Sequence, residues 1–442
     1  MRPHLAKEMY RNRAAKLPLQ VHVPNLWHSA VIDLPWELSE RTESIDISYS
    51  DFRSGIYNSE RPEVHVHRFF RAPSGFPILT TLALKSLDDC SEQFLELNFR
   101  APHLRSVTFE NCLPFYHSAW LCNLTSLTIN LDQCPYQLLN GAAHWSKPIS
   151  YVLRRNPSLE KLVLVGVMRS GQRPRLVPPA PHDTEPIELM CMKALNVKDD
   201  IDNIALLLPV LKVPFGSKVH IQADLVLGDD SDVLHMEQLG GALLEFLRIN
   251  EWTDKFRYMI ISPDENSQVQ LSESPEHSAL FQLDVAPLSY AYEPSTWAKF
   301  LATSLLTLDL YGVECRRSKE ARPVPMDSVC TALSMLPSLK KLEVFDDLAS
   351  PHMVEGLLAV LEPCSPDASY AVQTFPNLNA LSVIDTRLDE EASESDHCRD
   401  SVLHRFDTII DQRRMAGENV PEVTMSRTNH SSVKALVPVM SE

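Results

Sequence analysis

A string of the form PxLxxLxL, with apolar exchanges at the leucine positions, returns along this chain, and a recurring unit constrains a fold more tightly than any other sequence feature. It reads Pro77, Leu79, Leu82, Leu84, and again Pro102, Leu104, Val107, Phe109. Three further copies are Pro157, Leu159, Leu162, Leu164; then Pro337, Leu339, Leu342, Val344; then Pro376, Leu378, Leu381, Val383. Two copies lack the proline: Leu124, Leu127, Ile129 and Leu305, Leu308, Leu310. The last two apolar positions alternate with period two, so both side chains point inward from one short strand. The leucine three positions earlier enters the same core as the chain turns into that strand. Proline is expected to end a preceding helix and to bias its predecessor toward extended backbone. Successive clear units start about 20 to 40 residues apart.

Segments between these strands carry amphipathic helical patterns, at Ser150 to Arg155, 326–335 and 352–361. From about 200 to 300 the string fades, yet strands remain readable at 219–225, 256–261, 269–271 and 280–285. These are read as eroded repeats. Surface loops are expected at the proline-rich 168–186, at 228–232, at 262–277 and at the acidic 389–400. A helix around 401–414 would cap the array, with a last strand at 423–425. The expected fold is therefore α/β, a degenerate leucine-rich-repeat solenoid with a curved parallel sheet and outer helices. Its expected organisation is an N-terminal helix and connecting element over 1–60, the repeat array over 61–430 and a flexible tail over 431–442.

At 442 residues and 44% hydrophobic content, the chain exceeds what one compact core needs. A net charge of −17 repels phosphate backbones and anionic membrane surfaces, so neither nucleic acid nor membrane is expected as a partner. Glycine is scarce at 12 residues and proline abundant at 32, a poor composition for phosphate-cradling loops. The nine cysteines never form CxxC and are odd in number, which suits buried thiols in a reducing compartment, with no disulfides expected. The longest apolar run, 204–211, is broken by Pro209 and falls short of the roughly 18 residues a span requires. The basic residues Arg2, Lys7, Arg11, Arg13 and Lys16 precede no apolar segment, so an exposed basic helix is expected rather than a secretory signal. A cytoplasmic or nuclear location follows as the expectation.

Pro24-Asn-Leu26-Trp27 is similar to the PxLW that closes an F-box, and Trp36 to Ile47 looks like the connecting element after it. Together with Tyr151-Val-Leu-Arg-Arg-Asn-Pro157 and Phe406 to Gly417, these residues resemble fungal F-box proteins with degenerate leucine-rich repeats. The resemblance implies a substrate receptor of a cullin-type ubiquitin ligase, docked through the F-box on a Skp-type adaptor. The chain departs from the family before Pro24, where neither the LPxE-type element nor the VCxxW-type helix is present. The F-box thus reads as missing or truncated, and adaptor binding is expected only where one is present.

Catalytic and metal motifs are weak. Gly166 to Gly171 has the glycine spacing of a phosphate loop, but Gln172 and Arg173 replace the lysine and hydroxyl that reach phosphate and magnesium. Glu63, His65 and His67 would share one strand face, without a third ligand group at metal-site spacing. His235-Met-Glu237 matches the HxE of zinc deaminases, yet Pro363-Cys364 lacks the second cysteine of PCxxC. No GxSxG elbow occurs. The reading is accordingly a non-enzymatic protein-recognition module without cofactor or metal, with a stand-alone scaffold as the alternative and an enzyme as the remote one. The outward strand positions Arg105, Thr108, Glu110, Thr128, Asn130, Asp309, Tyr311, Glu343 and Phe345 form its expected partner face. A basic partner suits the net charge.

Overall fold

Proline at the second position of a reverse turn arrives with its φ already set, and the recurring string uses it there. In the computed structural model, the amide of Leu79 donates to the carbonyl of Phe76, Leu104 to Ala101, Leu159 to Asn156 and Leu378 to Phe375. Each turn carries the string's proline as its second residue and delivers the leucine to the core. The turn is shared by these four copies, and among the described residues the expected helix end accompanies it at some copies and not at others. Helices do stop shortly before Pro157 and Pro337, whereas 97–101 before Pro102 is not helical. The structure describes residues 17–24, 38–49, 66, 70, 75–86, 94–95, 97–132, 146–167, 185–224, 232–262, 267–285, 300, 308–316, 327–346, 352–362, 375–385, 392–417 and 420–427.

The chain divides into two compact units, Met1–Asp199 with Val210–Ser217, and Asp200–Pro209 with Lys218–Glu442. The sequence alone announces no boundary inside 61–430. In the first unit the strands are β1 (Leu19–Val23), β2 (Thr42–Tyr49), β3 (Thr81–Ser86), β4 (Phe94–Leu95), β5 (Ser106–Glu110), β6 (Leu113–Pro114), β7 (Ser126–Asn130), β8 (Lys161–Val165), β9 (Ile187–Glu188), β10 (Ala194–Asp200) and β11 (Leu211–Lys212). Seven of them pair in the order β1-β2-β3-β5-β7-β8-β10, all parallel. The register aligns the alternating apolar positions into two rows. Ile45, Leu82, Val107, Leu127, Leu162 and Leu195 form one, and Ile47, Leu84, Phe109, Ile129, Leu164 and Val197 the other. All twelve are at most 1% exposed.

Behind these strands the expected helix before Pro157 is present as α1 (Ser146–Arg154), which packs beside β9. Among the described residues, turns and the short pair β4-β6 also contribute to this layer. Aromatic bulk fills that space: Phe99 stacks on Phe70 and on Trp120, with centroids 4.7 and 4.9 Å apart, and Trp120 Nε1 donates to the Leu97 carbonyl at 2.7 Å.

The second unit contains β12 (Lys218–Asp224), β13 (Tyr258–Ser262), β14 (Ser267–Ser272), β15 (Phe281–Val285), β16 (Gly312–Arg316), β17 (Lys341–Asp346), β18 (Ala380–Asp385) and β19 (Glu422–Arg427). Their order is β12-β15-β14-β13-β16-β17-β18-β19. The strands read at 219–225, 256–261, 269–271 and 280–285 all exist, but they are not a simple parallel series. β13 lies three places beyond β12, and the chain then folds back through β14 and β15 to fill the gap. β14 alone runs antiparallel to its neighbours. Period-two alternation fixes which face a side chain takes and is blind to strand direction.

The described helices of this unit are α2 (Ile201–Leu207), α3 (Asp232–Ile249), α4 (Asp327–Ser334), α5 (His352–Leu361) and α6 (Ala392–Met415). α2 packs on α3, α4 on α5, and α5 on both β17 and α6. The acidic stretch expected as a loop over 389–400 is helical from Ala392, so α6 begins well before the expected 401. The last described element is β19, a strand beyond the helix expected to cap the array.

Burial sets the reactivity of the thiols. It pushes both Cys112 and Cys315 up to about 12, whereas Cys191 is exposed. Alkylation needs the thiolate. At pH 8, peptide-resolved mass spectrometry of the native protein should show Cys191 modified at least ~1,000-fold faster than Cys112 or Cys315, given about 10⁻⁴ thiolate at a pKa near 12. Comparable native-state rates would contradict the described burial.

Candidate binding surface

Parallel strands of one frame should repeat their entry geometry, and here one carbonyl recurs as the entry acceptor. Thr80 O accepts from the amides of Arg105 and Ser106, Arg105 O from Thr125 and Ser126, Thr125 O from Glu160 and Lys161, and Glu160 O from Lys193 and Ala194, all at 2.7–3.0 Å. In the second unit Arg257 O takes Tyr311 and Gly312, Tyr311 O takes Lys340 and Lys341, and Lys340 O takes Asn379 and Ala380, at 2.8–3.1 Å. Every such carbonyl stands two residues before the first inward side chain of its strand. This relation locates each expected partner-face residue.

Arg105 and Tyr311 occupy that same entry position, at the rim rather than on a strand. The expected frame at 305–310 is accordingly corrected. The inward residues of β16 are Val313 and Cys315, and Leu310 supplies the preceding buried leucine. Leu308 is buried in the approach, which made it look like part of the alternating pair. Leu305 lies outside the described residues. Asp309 therefore belongs to the entry turn, one place before Leu310. Thr108, Glu110, Thr128 and Asn130 lie on the outward face of the first unit, with Thr108 beside Thr128 and Glu110 beside Asn130. Lys85 Nζ pairs with Glu110 at 2.8 Å. Glu343 and Phe345 lie on the outward face of the second unit, beside Glu314 and Arg316.

The second unit carries two concavities. A rim pocket of about 530 Å³ is lined by Arg257, Tyr258, Asp309, Tyr311, Ser338 and Lys340 among others. The Tyr258 and Tyr311 rings stand 5.8 Å apart, and Lys340 Nζ lies 5.6 Å from the Tyr311 centroid. Arg257 bonds the Asp309 carboxylate. Hydrogen bonds from Ser338 and Arg257 hold that carboxyl below its usual range. Gly312 permits this arrangement, since a Cβ there would meet the Tyr258 ring at 2.9 Å.

The larger concavity, about 760 Å³, is a groove on the outward face from β12 to β17. Its floor is polar because the strands alternate: Val219-His-Ile-Gln-Ala223, Gln268-Val-Gln-Leu271 and Phe281-Gln-Leu-Asp-Val285 bury the apolar members and turn the others outward. Asp284 gathers the network. Its carboxylate accepts from His220 Nε2 at 2.7 Å, from Gln268 Nε2 at 2.7 Å and from Gln282 Nε2 at 3.1 Å. Gln270 Nε2 in turn donates to Gln268 Oε1 at 2.7 Å. Burial works to raise Asp284, but the bonds from His220, Gln268 and Gln282 outweigh it and the carboxyl ends below its ordinary value.

A carboxyl whose folded value is depressed stabilises the fold above the unfolded value, and that contribution is lost as pH falls through the folded one. Denaturant unfolding is thus expected to separate wild type from Asp284→Asn at pH 7, with the gap closing as pH drops from about 4 downward. A gap unchanged down to pH 2 would place the network elsewhere.

Glu63, His65, His67, Gln172, Arg173 and Cys364 lie outside the described residues, as does Asn25 to Trp36. Gly166 sits in a turn with φ of 63°, its amide bonded to Lys198 O at 2.7 Å. His235 Nδ1 bonds Asp202 Oδ1 at 2.5 Å across α3 and α2, a packing contact away from the groove. Among the described residues no group of three or more His, Cys, Asp or Glu is placed to hold a metal ion, and no helix is long and apolar enough to cross a membrane. The chain matches no protein-family model and no curated protein.

Proposed function

We propose that both units are arrays of degenerate leucine-rich repeats and that the chain works by recognising another protein through the outward face of their strands. The observation that carries this reading is the recurrent entry carbonyl, found at seven places in one register. A frame repeated so closely holds successive strands at a fixed spacing and turns every second side chain to one side. Each unit's face so formed is rich in hydroxyl, amide and charged groups at half-buried positions, Thr108, Thr128 and Asn130 in the first and Gln270, Glu314 and Glu343 in the second. Such groups give directional, partner-specific contacts, and the rim adds Tyr258 and Tyr311, whose amphipathic rings make good anchors.

The similarity of 24–47 and of the closing residues to F-box proteins makes a ubiquitin-ligase substrate receptor the specific form of this proposal. Affinity capture with the full chain tests both layers. Thr128→Arg and Glu343→Arg on the strand face are expected to deplete the partner at least ~10-fold relative to Asp407→Arg on the exposed face of α6, by one or two misplaced charges. Equal capture by all three variants would remove the recognition face. Copurification of a Skp-type adaptor, lost on deleting residues 1–40, would support the ligase form; its absence leaves a stand-alone scaffold.

A further inference from the structure

The groove floor is polarised. An ionised carboxylate only accepts, so Gln268 and Gln282 must turn their NH₂ groups toward Asp284, and Gln270 passes its NH₂ to the Gln268 oxygen. The amide oxygens of Gln270 and Gln282 are left as acceptors on neighbouring strands, directly opposite each other. The same row continues through Ile260 to Glu314 and Glu343, also adjacent. Arg316 and Lys341 each engage one oxygen, Oε1, of these glutamates from neighbouring rows. The row contains no lysine or arginine. It offers paired acceptors at strand spacing around an aliphatic side chain.

A planar guanidinium carries five donors in a fork that spans neighbouring acceptors, while its stem packs on apolar surface. An ammonium is a point donor and matches this spacing less well. We propose that the groove receives arginine side chains from an extended segment of a basic partner protein, the Gln270–Gln282 pair and the Glu314–Glu343 pair taking the guanidinium groups on either side of Ile260. The net charge of −17 favours the encounter with such a partner. This inference rests on the protein-recognition reading and adds the chemistry of the partner.

Fluorescence anisotropy with the full chain tests it. The probes are a labelled Gly-Ser peptide bearing two spaced arginines and the same peptide with citrulline, which keeps the shape and loses the charge. The arginine peptide is expected to bind at least ~10-fold more tightly than the citrulline peptide. Gln270→Met with Gln282→Met, and separately the isosteric Glu343→Gln, should each weaken arginine binding about tenfold, the second without lowering the unfolding midpoint. If the double variant unfolds, Glu343→Gln alone decides. No arginine binding, equal binding of citrulline, or arginine binding indifferent to the groove substitutions would overturn the proposal, the last marking general attraction to a polyanion. The recognition reading fails separately: it falls if Thr128→Arg and Glu343→Arg leave partner capture intact, and it survives a negative peptide result if they abolish it.

Discussion

Asn156→Ala is expected to destabilise the first unit by about 3–5 kcal/mol, from three hydrogen bonds to buried backbone groups at about 1–3 kcal/mol each, partly relieved by relaxation. Asn156 is fully buried just beyond the end of α1. Its Oδ1 accepts from the Leu124 amide at 2.8 Å, and its Nδ2 donates to the carbonyls of Val152 and Leu121 at 2.7 and 3.2 Å. One side chain thus closes the end of α1, the approach to β7 and the turn before Leu159. Alanine would leave the Leu124 amide and the Leu121 carbonyl without partners in a dry core. Asn156→Asp should be no milder, because a carboxylate would confront two carbonyls. Urea unfolding checks this; a loss under about 1 kcal/mol would mean that water or a neighbour replaces the amide.

The second large effect is expected at Leu162. It is fully buried on β8, flanked in register by Leu127 and Leu195. Truncating a leucine so enclosed removes its transfer free energy and leaves a cavity that backbone-locked neighbours cannot fill. Leu162→Ala should cost about 2–5 kcal/mol. The next residue, Val163, faces outward between Thr128 and Asn196, and Val163→Ala should cost under about 1 kcal/mol. The pair reads the alternation directly, and equal costs would mean that the strand register is wrong.

Much of the fold could be read from side-chain periodicity. The five proline-bearing strings all become strands with their alternating residues buried, because a turn of fixed φ and two inward side chains are local properties. What escaped was set by contacts distant in sequence. β2, β10 and β16 hold the same alternation through Ile45 and Ile47, Leu195 and Val197, and Val313 and Cys315, with no proline to announce it. At β16 the buried Leu308 and Leu310 drew the frame five residues too early and moved Asp309 and Tyr311 from rim to strand. The reversed β14 left no local trace, since alternation reads the same in both directions. Of the expected partner-face residues, only Glu343 lies on the floor row of the groove. His220, Gln268, Gln270, Gln282 and Asp284 were legible as polar members of alternating strands, but only the fold brings His220, Gln268 and Gln282 onto Asp284, with Gln270 on Gln268.

The central claim is that the outward face of the strands is where a protein partner sits. Site-specific photo-crosslinking in cells tests it, with a benzophenone amino acid placed at Thr128 or Glu343 on that face, or at Asp407 on the exposed side of α6. The account predicts a discrete crosslinked protein from the strand positions and none from Asp407. Adducts from Asp407 alone, or none from either strand position, would contradict it.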